Sequence, residues 1–600
     1  MRFFGPLCHG SRSKFSFAAY DVETRSKEDW TFELIGFFDG EKYSCFRDLA
    51  SFFDAVLTPR YSGWRIFGHF AGRFDVHFLW DWLRSNHPEI FKFPRPGVKT
   101  YKIDVITAGS AVIAMTIGWG EWRIDGRRFK FHADSWWRFT DSYRLMPAGL
   151  RQLTYEFDVP HKKLDFDSTS WVYNRNDCMG LHEVLTRFFD EFGVSSETAA
   201  SHAMRVFRTH FMHRRIAVPP DHAEKIARFS YTGGRCEIFR WDQAEVNKFD
   251  INSLYPWAMR GNVPVEYLYS SKELPDDDSK LIGFYDATVE YPDDIYIPAL
   301  PVRFDKLFFP SGKMRGFFTS MELRQAIADR ARVSIEQGRI FASEPILAEY
   351  VDELYKRKLD AEKSGDPAKR YISKLLSNSL YGKFGETRDK RSHTTDPGTI
   401  RLYGDPPPGM RAPQAERFFG PELWPVDATG MCFYFSESRS LHILPSIASA
   451  VTSRARLRTL EYLRGAGRVW YTDTDSVFTD SQIPVSDELG AMKLEGSGKF
   501  KPYRLKEYEF DGHIALKGVP LTREDPATGN KIEDLTLAKM YLSGQEIRLS
   551  RMAGFNESLN LNLPAVRRVE VTRKFRQPFE KRARTADGDT RPWRVEEILK

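Results

Sequence analysis

Two groups of acidic residues in this sequence have spacings that let their carboxylates share metal ions. In the first group, Asp21 and Glu23 follow the apolar run 15–20. Residues i and i+2 of a strand point to the same face with Cα atoms roughly 7 Å apart, so these two carboxylates can converge on one divalent ion. An Asp-x-Glu pair on its own is more often two surface acids at the edge of a strand.

Two predicted helices extend the first group. Asp75 opens an amphipathic segment, while Tyr173 and Asp177 lie four residues apart on another helix and therefore share a face. A phenol and a carboxylate placed in this way can orient a water molecule and complete a metal cage. Acids and a tyrosine in this combination suit a two-metal phosphodiester hydrolase, in which one ion activates the attacking water and the other stabilises the leaving oxygen.

Asp250, Asp473 and Asp475 form the second group. Asp250 lies where a predicted strand gives way to a turn, and the other two lie near the tip of a predicted hairpin around 468–480. An Asp-Thr-Asp sequence in a loop usually indicates only a turn. Together with Asp250, however, the pair can hold two Mg²⁺ ions against a nucleoside triphosphate, because this small, hard ion prefers carboxylates and phosphate oxygens.

A predicted helix between these acids carries one polar stripe. Arg370, Lys374, Asn378 and Tyr381 lie at positions i, i+4, i+8 and i+11. One end of the stripe is cationic and the other offers an amide and an aromatic ring, which is the polarity that a nucleotide needs. The same stripe is also typical of an amphipathic surface helix that ends in a glycine cap.

The elements expected to position these residues are mixed strands and helices. Strands are predicted at 15–22 and 30–38, a helix at 74–83, a strand that ends at Asp250, and helices over 346–384. Residues 385–436 are rich in Pro, Gly and Arg, which indicates an irregular insertion.

The composition is that of a globular protein with several domains. Its 600 residues suggest roughly four domains, and 42% apolar with 28% charged residues allow ordinary buried cores. The net charge of +6 is a weak indication of a polyanionic partner. Residues 567–584 are strongly basic and include Phe575 and Phe579. Two interpretations of this segment are about equally favoured: a contact with nucleic acid or another partner, or a solvated helix face.

The cysteines and the apolar segments limit the location of the protein. The five cysteines are scattered, so we expect neither a disulfide framework nor a zinc site, as is typical of a reducing cell interior. The sequence has no predicted signal peptide and no apolar run that approaches the roughly 20 residues of a membrane span.

Taken in order, these segments resemble family B DNA polymerases, and more narrowly the protein-primed branch of phages and linear plasmids. The three exonuclease motifs of that family are matched by Asp21 with Glu23, by Phe74-Asp75, and by Tyr173 with Asp177. The polymerase motifs A, B and C are matched by Asp250 to Pro256 (D-x-x-S-L-Y-P), Lys374 to Gly382 (K-x-x-x-N-S-x-Y-G) and Tyr471 to Ser476 (Y-x-D-T-D-S).

Two shorter elements match the family, and two positions depart from it. Tyr231 to Gly234 match the Y-x-G-G element, which is tied to partitioning of the primer strand, and Lys506-Glu507-Tyr508 resembles the K-x-Y element at the primer terminus. Phe70 stands where the second exonuclease motif usually carries an Asn that contacts the primer end, so an efficient proofreading contact is missing or comes from elsewhere. Ser142 stands where the family has a Ser/Thr-Leu pair that touches single-stranded DNA, but Tyr143 follows it and could stack on a base.

The resemblance implies an α/β and α+β multidomain fold, in which a ribonuclease-H-like 3′→5′ exonuclease domain is joined to a right-hand polymerase. The expected segments are the exonuclease domain at 1–190, the palm at 191–261, 386–395 and 437–530, a first terminal-protein region at 262–360, the fingers at 361–385, a second terminal-protein region at 396–436, and the thumb at 531–600.

The resemblance also implies roles for single residues. Asp250 and Asp475, helped by the Ile251 carbonyl, are the expected polymerase metal ligands, with Asp473 completing the centre. The expected exonuclease metal ligands are Asp21, Glu23, Asp75 and Asp177, with Tyr173 as a further catalytic residue. Each site is expected to use two Mg²⁺ ions, for which Mn²⁺ could substitute.

The substrates are expected to meet a further set of residues. Tyr255 lies under the incoming sugar and rejects a 2′-hydroxyl by its bulk. The other expected nucleotide contacts are Arg370, Lys374, Asn378 and Tyr381. The expected DNA contacts are Tyr231, Gly233, Gly234, Ser142, Lys506 and Tyr508.

The implied function is DNA-directed DNA polymerisation with proofreading, primed by a protein, in the replication of a linear phage or plasmid genome with strand displacement. Expected partners are a DNA template-primer, dNTPs, a terminal protein and a single-stranded-DNA-binding protein, with the enzyme a monomer that binds no membrane. The location would be the cell interior, or the host cytoplasm for a phage protein. Alternatives are an RNA- or DNA-primed family B polymerase, a reverse transcriptase and a non-catalytic nucleic-acid-binding protein.

Overall fold

A computed structural model describes most of the chain. The described residues are 2–7, 15–26, 29–91, 96–125, 128–165, 171–276, 279–386, 389–394, 424–426, 431–437, 440–524, 531–560, 563–576, 580–586 and 588–599. Among them, no helix combines the length and the apolar character that a membrane crossing requires. Most of the predicted second terminal-protein region, and Phe579 of the basic segment, lie outside these residues.

The N-terminal part of the chain forms a mixed sheet with helices on both faces. Its elements are β1 (Phe3–Phe4), β2 (Phe17–Thr24), β3 (Phe32–Phe38), β4 (Tyr43–Phe46), α1 (Leu49–Val56), β5 (Arg65–Gly68), α2 (Asp75–Asn86), β6 (Lys99–Ala108), β7 (Ala111–Asp125), β8 (Arg128–Asp141), α3 (Leu150–Glu156) and α4 (Trp171–Asp190). Strand β2 runs parallel to β5, and β5 runs parallel to β8. Ala19 of β2 packs with residues of α4, whereas Ala18 and Tyr20 pack with residues of α1 and α2. Covered on both faces, β2 reads as the nearly unbroken apolar run seen in the sequence.

The next segment supplies the first two strands of a second large sheet. Its elements are α5 (Ala199–Val206), β9 (Ile216–Ala217), α6 (Asp221–Ser230), β10 (Cys236–Ile238), β11 (Ala244–Ile251) and α7 (Leu254–Arg260). Strand β9 pairs with β1, so the start of the chain is held beside this segment. Strand β11 ends at Ile251, one residue beyond the end that the sequence predicts at Asp250.

A separate four-stranded sheet follows, with strands in the order β12-β17-β13-β16. Its elements are β12 (Val263–Ser270), β13 (Leu281–Tyr291), β14 (Val302–Arg303), β15 (Leu307–Phe308), β16 (Gly312–Thr319), α8 (Ser320–Ala328) and β17 (Arg332–Glu344). Helix α8 begins with a capping box in which Thr319 and Glu322 satisfy each other's backbone amides.

Two packed helices, α9 (Ala348–Ser364) and α10 (Pro367–Phe384), come next. Gly365 has a φ of +68° and Pro367 is the first residue of α10, which explains the break between them. The Tyr350 hydroxyl donates to the Leu376 carbonyl at 2.8 Å and ties the two helices together. The expected boundary between the first terminal-protein region (262–360) and the fingers (361–385) therefore falls inside α9.

The insertion after α10 returns to the N-terminal sheet. Strands β18 (Asp389–Thr394), β19 (Trp424–Val426) and β20 (Met431–Glu437) extend that sheet to ten strands, because β18 pairs with β6. Its strand order is β19-β20-β18-β6-β7-β8-β5-β2-β3-β4. The segment 386–395 is expected to belong to the palm, but its strand β18 hydrogen-bonds to the N-terminal sheet instead.

The second large sheet, called the central sheet, has seven strands. Its remaining elements are α11 (Pro445–Gly465), β21 (Val469–Asp473), β22 (Ser476–Thr479), β23 (Met492–Arg504), β24 (Glu507–Phe510) and β25 (His513–Ala515). The seven strands lie in the order β10-β21-β22-β11-β23-β24-β25, all antiparallel. Strand β11 pairs with β22 so that Asp250 lies opposite Ser476.

The C-terminal part contacts several other parts of the molecule. Its elements are β26 (Thr522–Glu524), β27 (Lys531–Glu533), α12 (Thr536–Leu542), β28 (Glu546–Met552), α13 (Phe555–Asn560), β29 (Arg568–Lys574), β30 (Arg582–Arg584), β31 (Thr590–Pro592) and α14 (Val595–Ile598). The connection between β28 and β29 docks on α2, where Phe555 packs on Trp80 and the Asp81 carboxylate accepts the Ala565 and Val566 amides at 2.8 and 2.9 Å. Val595 packs instead into the core of the four-stranded sheet.

Candidate active sites

The first acidic group comes together at one end of the N-terminal sheet. Carboxylate oxygens of Asp21, Glu23 and Asp177 all lie within 4.8 Å of one another. Asp75, the first residue of α2, joins them because its carboxylate accepts the backbone amide of Val22 at 2.8 Å. Strand β2 and helices α2 and α4 therefore bring together the four acids that the sequence assigned to one site.

The electrostatics of this group fit a divalent cation. Burial, followed by the neighbouring Asp21 carboxylate, raises the pKa of Glu23 to about 11. Burial raises the pKa of Asp177 to about 7, although Lys163 opposes the shift, and burial also raises the pKa of Asp21 and Asp75. Buried carboxylates that repel one another need a concentrated positive charge, and oxygen ligands of this kind suit Mg²⁺.

Two polar residues of this site were not singled out by the sequence. The Lys163 ammonium donates to the Tyr173 hydroxyl at 2.7 Å and also pairs with the Asp177 carboxylate. The Asn174 amide donates to the Asp21 carboxylate at 3.1 Å and to Glu23 at 3.4 Å. Lys163 lies in a loop with no spacing signal. Asn174 lies inside the predicted motif, but an asparagine on a helix does not by itself indicate its partner.

The positions that depart from the family pattern lie together. Phe70 has a φ of +61° and is 40% exposed, and its ring stacks on that of Tyr143 with centroids 3.9 Å apart. Ser142 is fully buried, and its hydroxyl donates to the Gly68 carbonyl at 2.9 Å and contacts His69. The aromatic pair is thus the accessible surface at this point, and the Ser142 hydroxyl has internal partners.

The second acidic group lies on neighbouring strands of the central sheet. Asp250 is on β11, and Asp473 and Asp475 flank Thr474 in the turn between β21 and β22. The Ile251 amide donates to the Asp475 carbonyl at 2.8 Å, which fixes the two strand ends relative to each other. Burial, then the Asp475 carboxylate, raises the pKa of Asp250 to about 7, and burial raises the pKa of Asp475. This repulsion again fits a divalent cation.

Asp473 has a cationic neighbour. The Lys506 ammonium lies 3.0 Å from the Asp473 carboxylate, and its backbone amide donates to the Tyr471 hydroxyl at 3.0 Å. Tyr508 packs its ring 5.6 Å from that of Tyr471 in the core of this sheet. The two residues of the K-x-Y element therefore differ: Lys506 is exposed and faces the acids, and the half-buried Tyr508 supports the strand beneath them.

The Y-x-G-G element packs against the acidic turn. A Cβ atom at Gly234 would lie 2.8 Å from the Thr474 side chain, so this close approach requires glycine. The Thr474 amide donates to the Arg235 carbonyl at 2.6 Å. Buried Arg456 of α11 donates to the carbonyls of Thr232 and Gly233 at 2.7 and 3.1 Å. The element following Tyr231 is therefore held from both sides.

Helix α10 presents the predicted stripe. Arg370, Lys374 and Asn378 are exposed on it, and Arg370 pairs with Glu362 at 3.0 Å. Tyr381 stacks on Tyr255 of α7, with ring centroids 4.3 Å apart and planes 12° from parallel. This contact brings the aromatic end of the stripe to the helix that follows Asp250.

The basic C-terminal segment is partly used inside the molecule. Arg582 is buried and lies 4.6 Å from the ring centroids of both Phe239 and Tyr296. Arg584 stacks over Trp241 at 4.0 Å. Part of the basic character of 567–584 therefore anchors the C-terminal segment on neighbouring aromatic rings.

Comparisons with known proteins match this chain to DNA polymerases. The family described as DNA polymerase type B, organellar and viral, matches residues 165–395. The "Probable DNA polymerase" of Ascobolus immersus is 25% identical over 80% of this chain, which spans 44% of that protein's length. The "DNA-directed DNA polymerase" of Enterobacteria phage PRD1 is 25% identical over 86% of this chain and 88% of that protein.

Among solved structures, the fold is similar to that of Phi29 DNA polymerase complexed with primer-template DNA and incoming nucleotide substrates. The TM-score is 0.67 at 18% identity, over 94% of this chain and 100% of that one. The predicted fold class is confirmed: the chain has the mixed α/β and α+β multidomain fold of that structure. By these matches and by the order of its motifs, the chain resembles the family B DNA polymerases of organelles and viruses.

Proposed function

We propose that the protein is a DNA-directed DNA polymerase, a nucleotidyltransferase, that also carries a 3′→5′ exonuclease. The proposal rests on two clusters of acidic residues. The clusters lie at two different sheets, within a fold similar to that of a family B polymerase. Asp250 and Asp475 belong to the central sheet, whereas Asp21, Glu23 and Asp177 cluster at the N-terminal sheet. Two separated acidic centres suit two separate reactions on phosphodiesters.

The polymerase reaction is assigned to the central sheet. Asp250, Asp475 and the Ile251 carbonyl are the proposed metal ligands, with Asp473 beside them. Magnesium bound by the two acidic groups would activate the attacking oxygen and neutralise charge on the leaving group in both reactions. Lys374 and Arg370, both exposed on α10, would draw the triphosphate to the site, because cationic side chains pair strongly with phosphate oxygens.

Further residues of this site would hold the sugar and the DNA strands. Tyr255 and Tyr381 form a stacked aromatic floor for the sugar and base, next to Asn378. Lys506, 3.0 Å from Asp473, would meet the primer terminus. Tyr231, Gly233 and Gly234 would take part in partitioning the primer strand between the two sites. Tyr508 packs on Tyr471, whose hydroxyl accepts the Lys506 amide.

The exonuclease reaction is assigned to the N-terminal sheet. Asp21, Glu23, Asp75 and Asp177 are the proposed ligands. Lys163 holds the Tyr173 hydroxyl at 2.7 Å and pairs with Asp177, so this phenol is oriented toward the acids. Phe70 and Tyr143, rather than the buried Ser142 hydroxyl, offer a stacking surface to an unpaired base.

A primer-extension reaction tests both activities. With Mg²⁺ and dNTPs, we expect a labelled primer on a DNA template to lengthen, and without dNTPs we expect it to shorten from its 3′ end. Extension on an RNA template would distinguish a reverse transcriptase from a DNA-directed polymerase. Binding of DNA without any change in primer length would leave only a nucleic-acid-binding protein.

A template with a downstream duplex tests strand displacement, which we assign to residues 396–436. Deletion of that segment should reduce strand displacement while gap filling continues.

We further propose that synthesis begins on a protein hydroxyl. Support comes from the two insertions on either side of α10, the four-stranded sheet within 262–360 and the segment 396–436. A Ser, Thr or Tyr hydroxyl can replace a primer 3′-hydroxyl, because the site needs only an oxygen in line with the α-phosphate. A protein in the path of the duplex forms no base pairs, so it must be positioned by contacts with the enzyme.

A labelling reaction tests this priming. The enzyme, a candidate terminal protein encoded beside it, Mg²⁺ and one labelled dNTP should give a covalent protein–nucleotide adduct that survives denaturation. Because the contacts are partly electrostatic, adduct formation should weaken with salt. An Asp475→Ala variant should form no adduct. Good extension of oligonucleotides with no labelled neighbouring protein would mean RNA or DNA priming.

The remaining parts of the proposal concern partners and location. Replication of a linear phage or plasmid genome by strand displacement exposes single strands, so a single-stranded-DNA-binding protein is a proposed partner. The enzyme would act as a monomer inside the cell, in the host cytoplasm for a phage genome.

A further inference from the structure

The amide of Asn174 is buried among the carboxylates of the N-terminal acidic group. Asn174 is fully buried on α4, and its side-chain nitrogen lies 3.0 Å from the Asp21 carbonyl, 3.1 Å from the Asp21 carboxylate and 3.4 Å from the Glu23 carboxylate. One amide group thus contacts both acids of β2. Because carboxylates only accept hydrogen bonds, the amide nitrogen is the atom that must face them.

A tyrosine fixes the other end of this amide. The Tyr43 hydroxyl donates to the Asn174 side-chain oxygen at 2.9 Å. The phenol donates to the amide oxygen, and the two carboxylates accept from the amide nitrogen. Both sets of contacts require the same orientation of the amide. Flipping the group would turn its oxygen toward Asp21 and Glu23 and its nitrogen toward the phenol, so the orientation is set from both sides.

A glycine makes room for the asparagine. Gly36 on β3 lies directly opposite Asp21 on β2. A Cβ atom at Gly36 would lie 1.7 Å from the Asn174 side-chain oxygen, which is far inside van der Waals contact. Any larger residue at position 36 must therefore displace Asn174. Because glycine has no side chain, Gly36 itself makes no side-chain contact with the acids.

We propose that Asn174 is a positioning residue for Asp21 and Glu23, held in its orientation by Tyr43 and accommodated by Gly36. The proposal deepens the proposed exonuclease function and rests on it. Two buried carboxylates on one strand face repel each other, and a neutral donor between them satisfies lone pairs without adding a cation that would compete with a metal ion. Partners behind metal ligands of this kind typically contribute about 10- to 100-fold in metal affinity.

Metal binding gives a readout that is independent of catalysis. Mn²⁺ binding would be titrated by electron paramagnetic resonance in an Asp250→Asn, Asp475→Asn background, which removes both carboxylate ligands proposed at the central sheet. We expect Asn174→Leu and Gly36→Ala each to weaken Mn²⁺ binding by about 10-fold or more, and Tyr43→Phe to weaken it less. Asn86→Leu and Gly149→Ala are matched controls, since Asn86 is exposed at the end of α2 and a Cβ at Gly149 meets no atom within 4 Å.

Activity measurements complete the test. With Asp250 and Asp475 intact, each variant should need more Mg²⁺ for half-maximal degradation of single-stranded DNA while primer extension stays within about twofold, and extension reports that the variant is folded. Wild-type Mn²⁺ affinity in both folded Asn174→Leu and Gly36→Ala would overturn the positioning role. If the wild-type protein binds Mn²⁺ at this group but degrades no DNA, the exonuclease proposal fails and the binding titration still decides the role of Asn174.

Discussion

An Asp475→Ala variant is expected to add nucleotides about 10³-fold more slowly, or slower still. The metal ion that Asp475 would hold stabilises the charge of the transition state by several kcal/mol, and each 1.4 kcal/mol changes the rate about tenfold. Degradation of a single-stranded primer should continue, since Asp475 lies on the central sheet and the N-terminal acids form their own cluster. The measurement is the rate of labelled primer lengthening with dNTPs and of shortening without them.

The reciprocal variant completes this prediction. Asp21→Ala combined with Glu23→Ala should abolish shortening and retain lengthening. Asp54→Ala, which changes an exposed acid of α1, is a control expected to keep both rates. Loss of both activities in either folded variant would mean that the two acidic groups do not act independently.

A Tyr255→Val variant is expected to accept ribonucleotides about 10- to 100-fold more readily, because fitting an extra group into a packed site costs about 1 to 3 kcal/mol. The Tyr255 ring is stacked 4.3 Å from that of Tyr381, so it cannot readily move aside for a 2′-hydroxyl. Valine leaves space in its place. The measurement is the ratio of kcat/KM for a dNTP to that for the matching rNTP.

A second substitution separates the ring of Tyr255 from its hydroxyl. Tyr255→Phe keeps the bulk and should keep the selectivity of the wild-type enzyme. A drop in selectivity in Tyr255→Phe would assign discrimination to the hydroxyl. An unchanged ratio in folded Tyr255→Val would remove Tyr255 from sugar selection altogether.

Much of both acidic groups could be predicted because it follows from local geometry. Alternation along β2 places Asp21 and Glu23 on one side, and the apolar flanks of Asp473 and Asp475 already indicate the hairpin formed by β21 and β22. The helical stripe on α10 likewise depends only on residues a few positions apart. The predicted helices over 346–384 are confirmed as α9 and α10.

What the sequence could not predict depends on contacts between distant segments. Lys163 reaches Asp177 from a loop that has no periodic pattern, and Asn174 meets Asp21 only when α4 packs on β2. The burial of Ser142 follows from its position after β8, where its hydroxyl reaches Gly68. The pairing of β18 with β6 joins segments separated by nearly half of the chain, and no local signal marks it.

The docking of the segment between β28 and β29 on α2 has a consequence for how this protein must be made. Phe555, Leu559 and Ala565 belong to the same core as Trp80, Ile103 and Phe139. During translation the N-terminal sheet therefore emerges with an open apolar surface, and the surface is covered only after the residues up to Ala565 have been translated. A fragment cut at residue 190 would keep that surface exposed to water. The N-terminal sheet thus depends on residues 555–565, far along the chain, for its completed core.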